Sequence, residues 1–133
     1  MHGFIKEERN GAEEFEANRP ALPAHFIAND NQKAVITTLI PLWFAVFMVS
    51  SASPAVRIKE YEIHKIEVGE WEGERFIASV KFSVKPDRSS FRVWWVGNEK
   101  RNWDWVRDKV LLFTVVKEKD HYRVESVNPK KEG

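Results

Sequence analysis

The chain has 133 residues, 43% hydrophobic and 31% charged, with 21 basic against 20 acidic side chains; this is room for one small domain, and it excludes both a multidomain enzyme and a wholly disordered chain. Six glycines and six prolines exclude collagen-like and low-complexity classes. A net charge of +1 argues against a strongly basic or acidic partner, and the absence of cysteine excludes a disulfide framework, a thiolate nucleophile and cysteine-ligated metal.

Residues 1–33 form a polar, slightly acidic arm, in which Glu7, Glu8, Glu13, Glu14, Glu16 and Asp30 outweigh Lys6, Arg9, Arg19 and Lys33. From Ala34 to Val56 there is then no Asp, Glu, Lys, Arg or His. That run approaches the roughly 20 apolar residues that cross a bilayer. An amphipathic helix shows a polar face every three or four residues, whereas Leu42 to Val49 is apolar all round. Residues 34–56 are therefore expected to be a membrane anchor. Lys33, the apolar run and Ser50-Ser51-Ala52-Ser53-Pro54-Ala55 also have the three regions of a secretory signal, but the distance from Met1 favours an uncleaved anchor. A buried hairpin or core helix of a soluble protein is the alternative, because small cores hold apolar runs of about 10–14 residues. Arg19 and Lys33 on one side compete with Arg57, Lys59 and Lys65 on the other, so positive charge does not set the orientation. The small-residue end of the run places the carboxyl-terminal part outside the cytoplasm.

Residues 57–133 are expected to form a β-rich domain. Phe76, Ala78, Val80, Phe82 and Val84 share one parity and Arg75, Ser79, Lys81, Ser83 and Lys85 the other, the mark of a strand with one wet face. Upstream, the apolar pairs Val56/Ile58, Tyr61/Ile63 and Ile66/Val68 switch parity twice, as in a long strand that carries bulges. Gly69-Glu-Trp-Glu-Gly73 supplies the hairpin between these two strands. Lys85 to Ser90 has turn chemistry, Phe91 to Val96 predicts a third strand, and Asn102 is placed to cap a short helix through Arg107. Val110 to Val116 is apolar on both parities and predicts a central strand with Leu112 buried; a charged turn, Lys117 to Asp120, leads into a last strand, Tyr122 to Val127. The fold class is thus α+β: a mostly antiparallel, curved sheet of about five strands after a helical or apolar amino-terminal segment, with one face to be covered by that segment, by another copy or by a partner.

The stretch Leu111 to Val127, a strand ending in Lys117-Glu118 followed by the aromatic-basic-aliphatic Tyr122-Arg123-Val124, resembles the closing hairpin of the nuclear-transport-factor-like, cone-shaped α+β (cystatin-like) superfamily, and the long hairpin Arg57 to Lys85 extends the likeness. Members usually begin with helices that wall the cone; here only Glu7 to Ala17 and the uncharged run are offered for that duty. The resemblance implies a pocket or a dimer-forming sheet, used by enzymes, binding modules and extracytoplasmic accessory proteins alike, and so does not choose a function.

No phosphate loop, nucleophile elbow, zinc motif or dinucleotide fingerprint is present, so no catalytic residue, metal or cofactor is assigned. His2, His25, His64 and His121 lack the spacing of ligands; an acid-base role for His64 or His121 with Glu62 or Asp120 is conceivable only within a cone-shaped fold. The most unusual feature is aromatic. Phe91, Trp94, Trp95, Trp103 and Trp105 alternate with Arg88, Arg92, Lys100, Arg101 and Arg107. Core packing of Phe91, Val93 and Trp95 is the plain account of this cluster. Otherwise Arg92, Trp94, Trp95, Trp103, Trp105 and Arg107 form a binding surface for a protein or a membrane; near-neutral charge disfavours nucleic acid. The function expected is a non-enzymatic, membrane-anchored or exported binding module, with a protein partner or a homodimer through the sheet open to it. The alternative is a soluble domain of the superfamily with a small-molecule pocket, possible as an enzyme.

Overall fold

A computed structural model describes residues 18–49, 57–86 and 105–130. Among them the chain runs β1 (Ala21–Pro23), two 3-10 turns (Ala24–Phe26 and Ala28–Asp30), α1 (Gln32–Val46), β2 (Ile58–Val68), β3 (Arg75–Pro86), β4 (Val106–Glu118) and β5 (His121–Pro129). The strands make one antiparallel sheet in the order β1-β5-β4-β3-β2, curled into a half-barrel with α1 against its inner face.

The strands form where alternation demands them. Phe76, Ala78, Val80, Phe82 and Val84 are buried on β3, and Leu111, Phe113 and Val115 on β4. The pairing of β2 with β3 shifts register between Ile58 and Glu60 and again between Ile63 and Lys65. Those are the two places where the apolar parity of β2 changes, because each extra residue turns the following side chains to the opposite face. Gly73 takes a φ of +67° in the turn between these strands, a conformation that costs glycine nothing. The same bulges blunt β2, which is an edge of the sheet.

Residues 34–47 of the uncharged run cover the sheet, while residues 50–56 lie outside the described residues. Asn31 caps α1 by accepting from the Ala34 N–H at 2.8 Å. Val35, Ile36, Leu39, Ile40, Trp43, Phe44 and Phe47 then recur at helical spacing, and all are buried. Fifteen residues extend only about 22 Å at 1.5 Å per residue, short of the roughly 30 Å hydrocarbon layer. Among the described residues no helix is long and apolar enough to cross a membrane. Leu22 of β1, the α1 stripe and the strands share one hydrophobic core.

Three further differences from the sequence have physical reasons. The fifth strand is β1, from the arm, whose Ala21, Leu22 and Pro23 pair with Arg123, Tyr122 and His121; three residues are too few to show a period. The expected strand Phe91 to Val96 lies outside the described residues. So does most of the expected helix after Asn102, but Val106 and Arg107, given to its end, are the first residues of β4. Leu112, expected in the core, is half-buried on the outer face, while its neighbours Leu111 and Phe113 are fully buried.

Candidate functional site

α1 runs from one end of the sheet to the other. At its start, Gln32 Nε2 donates to the Gly69 carbonyl at 3.2 Å, beside the β2–β3 hairpin. At its finish, the Ile58 N–H donates to the Phe47 carbonyl at 2.9 Å, and Phe44 stacks on Tyr61 at 4.3 Å. The two ends of the molecule differ in chemistry.

The starting end is clasped around Asp30. Asn29 and Asp30 take consecutive left-handed φ values of 59° and 52°, sparsely populated without glycine and held only where surrounding bonds fix them. Lys117 Nζ donates to Asp30 Oδ1 at 2.9 Å, the Tyr122 hydroxyl donates to the same oxygen, and Trp71 Nε1 donates to the Asp30 carbonyl at 3.0 Å. The Tyr122 hydrogen bond, followed by that of Lys117, holds the Asp30 carboxyl below its ordinary range. Burial, followed by the hydrogen bond to Asp30, pushes Tyr122 up to about 12. At neutral pH one group stays charged and the other neutral. A general acid or base works best with a pKa near the operating pH, so this pair fastens the loop to the sheet and is not poised to exchange a proton.

Beside the clasp, Arg75 grips Glu125 with two hydrogen bonds of 2.8 and 2.9 Å. A depression of about 210 Å³ lies there between Glu70, Glu72, Arg75, Ile77 and Thr114, smaller than the roughly 300–1,000 Å³ of small-molecule sites. Acidic residues are in slight excess at this end: Asp30, Glu67, Glu70, Glu72, Glu74, Glu118, Asp120 and Glu125 stand against Lys33, Lys65, Arg75, Lys117, Lys119 and Arg123.

At the finishing end, Ser83 is a hub on β3 between the second bulge of β2 and an irregularity in β4. Its Oγ lies 2.7 Å from His64 Nε2 and accepts from the Asp108 N–H at 3.1 Å. Asp108 has a φ of 61° where the β3–β4 register shifts, and the hydroxyl satisfies the N–H that the shift takes out of the ladder. A serine beside a histidine is the start of a nucleophilic dyad, but Ser83 is fully buried and presents no oxygen to a substrate. His64 is thus paired with Ser83, while Glu62 pairs with Arg107 at 3.6 Å. At the opposite end His121 lies 3.4 Å from Asp120 and 3.3 Å from Glu118, on the surface.

Of the expected binding residues, Trp105 is half-buried and Arg107 exposed, with the guanidinium 5.0 Å over the indole, a cation–π contact. Arg92, Trp94, Trp95 and Trp103 lie outside the described residues. The chain that carries them leaves from Pro86 and returns at Trp105, both at this end of the sheet.

The same end carries an apolar surface. Leu42, Val46, Met48 and Val49 are 45%, 41%, 41% and 48% exposed, on the side of α1 away from the sheet. At this end of the sheet Arg57, Lys59, Lys85, Arg107, Lys109 and Lys130 outweigh Glu60, Glu62 and Asp108, with Lys85 on the face of β3 that α1 does not cover. Neither this surface nor the clasp was singled out from sequence. The signal for the first was Leu42 to Val49 being apolar on every side. For the second no local signal exists, since Asp30 and Tyr122 are 92 positions apart.

Among the described residues no group of three or more His, Cys, Asp or Glu is placed to hold a metal ion. Compared with protein-family models, curated proteins and solved structures, the chain matches none of them.

Proposed function

We propose that this protein is a non-enzymatic binding module acting at a membrane, working by surface contact rather than by enclosing a ligand. The observation that carries this is the filling of the half-barrel. Trp43 meets Phe44, Phe47 and Phe113 edge-on at 5.1, 4.8 and 5.2 Å, and Phe44 lies 5.5 Å from Phe82. Among the described residues the concave face is occupied by the protein's own aromatic side chains, whereas the exposed apolar side chains at the end of α1 have the composition of a contact surface. A helix seated in a curled sheet also supports keeping the resemblance to the nuclear-transport-factor-like superfamily within this proposal, in its accessory rather than its pocket-forming mode.

Fractionation of cells that make the full-length chain tests the proposal. The protein is expected to sediment with membranes at physiological salt. Complete recovery in the soluble fraction without detergent overturns it.

A further inference from the structure

We infer that the outer edge of β2 pairs with a second copy of this chain, strand against strand and antiparallel, about a two-fold axis at Ile66. This goes beyond the proposed function and does not depend on it.

β2 ends the sheet, and among the described residues no strand pairs with its other side. A bare edge offers its N–H and C=O groups to another strand. The two bulges, between Ile58 and Glu60 and between Ile63 and Lys65, interrupt most of this edge. Beyond the second, Lys65, Ile66, Glu67 and Val68 keep an unbroken register with Lys81, Val80, Ser79 and Ala78. The ladder shows which backbone groups point away from β3. The Gly69 N–H donates to the Ile77 carbonyl at 2.8 Å, and along an antiparallel pair only alternate residues bond to the same neighbour. Glu67 and Lys65 therefore bond to β3, while Ile66 and Val68 turn their N–H and C=O groups outward. Val68, 37% exposed, adds an apolar side chain to that edge.

Charge selects both the occupant and the register. A two-fold pairing that sets one residue against another also sets the second against the first. Centred on Ile66, the pairing exchanges the outward N–H and C=O of Ile66 with those of the same residue in the second copy. It also places Lys65 opposite Glu67 of the second copy, and Glu67 opposite Lys65 of the second copy. These two are pairs without mutual backbone bonds, in which side chains approach most closely. Lys65 and Glu67 leave β2 on the face opposite the partly buried Ile66 and already lie 3.1 Å apart, so the dimer turns one ion pair into a square of four alternating charges. Centred on Lys65 or on Glu67, the same stretch would set like charge against like, which destabilises a sheet pair. The stretch is short, and the dimer is accordingly a weak one that forms as concentration rises.

Sedimentation equilibrium of the full-length protein over rising concentration is the test, and a monomer–dimer equilibrium is expected. Glu67→Lys leaves Lys65 opposite a lysine, and Lys65→Glu leaves Glu67 opposite a glutamate, so each variant alone should dimerise about tenfold more weakly. An equimolar mixture of the two variants restores both pairs of opposite charge and should dimerise as the natural chain does. The two side chains are 65% and 63% exposed, so both variants should fold, and circular dichroism confirms it. A protein that stays monomeric at millimolar concentration overturns the inference, as does a dimer that neither variant weakens. Variants that weaken the dimer singly and fail to recover it when mixed also overturn it, because the loss is then not one of charge pairing. Loss of the dimer in Leu42→Gln, with both charge variants unaffected, overturns it too and places the second copy on α1.

Discussion

The two ends of α1 show how one helix divides its work. At its start every prominent polar group has a partner: Asp30 holds Lys117, Tyr122 and Trp71, and Gln32 holds Gly69. At its finish the inner face is as well packed as any part of the core, but the outer face is apolar and meets solvent. Stability is thus set chiefly by the inner stripe and by the clasp, whereas Leu42, Val46, Met48 and Val49 keep 41–48% of their surface in water. A surface that is costly to expose and does not stabilise the fold is where a contact function is expected.

The largest effect should come from the inner stripe. Trp43 is fully buried at the centre of the aromatic cluster, and Trp43→Ala should cost about 3–5 kcal/mol through lost contacts and a residual cavity. Urea unfolding monitored by far-ultraviolet circular dichroism measures it. A cost below about 1 kcal/mol would separate α1 from the sheet and dissolve the contrast between its two faces.

The next effect tests which side of the central strand is inside. Leu111→Ala should cost about 2–5 kcal/mol, and Leu112→Ala distinctly less, since Leu112 keeps part of its surface in water. The sequence of β4 marks its central place in the sheet but shows its inner parity only faintly, because between Val110 and Val116 Thr114 alone, on the same parity as Leu112, is polar. On β3 and β2 the polar residues do alternate, and there both the inner face and the two bulges were legible. α1 escaped for a related reason: its outward side is as apolar as its inward side over the last turns, so the run resembled a span. The difference lies in length and in the cap at Asn31. The clasp was illegible because it joins residues from the arm, the β2–β3 hairpin and the last two strands, which only the folded topology brings together.

At the clasp, Tyr122→Phe removes one donor from Asp30. A hydrogen bond to a charged group is worth about 1.5–3 kcal/mol, and the partial exposure of Asp30 reduces the expected loss to about 1 kcal/mol. The pH dependence identifies its origin. Asp30 titrates below its ordinary value in the fold, so its contribution is present above the unfolded pKa and lost as pH falls through the folded one. Tyr122 is raised to about 12, so its contribution is complete below the ordinary tyrosine value of about 10 and lost as pH climbs from there. Unfolding midpoints measured across both limbs should show that Tyr122→Phe shrinks the acid loss and removes this residue's part of the alkaline one. Unchanged limbs in the variant would mean that Asp30 is held by Lys117 alone.

The smallest expected effect is the most telling one for the opposite end. Leu42→Gln exchanges a half-exposed apolar side chain for a polar one of similar helix propensity. No inner contact is lost, and surface substitutions of this kind usually stay within about 0.5 kcal/mol. The unfolding midpoint should therefore hardly move, in contrast to Trp43→Ala one position along the same helix. A loss of about 2 kcal/mol instead would mean that Leu42 is covered within the folded chain and that the apolar end of α1 belongs to the core. Equal stability ties the two faces of one helix turn to two different places, one in the core and one in solvent.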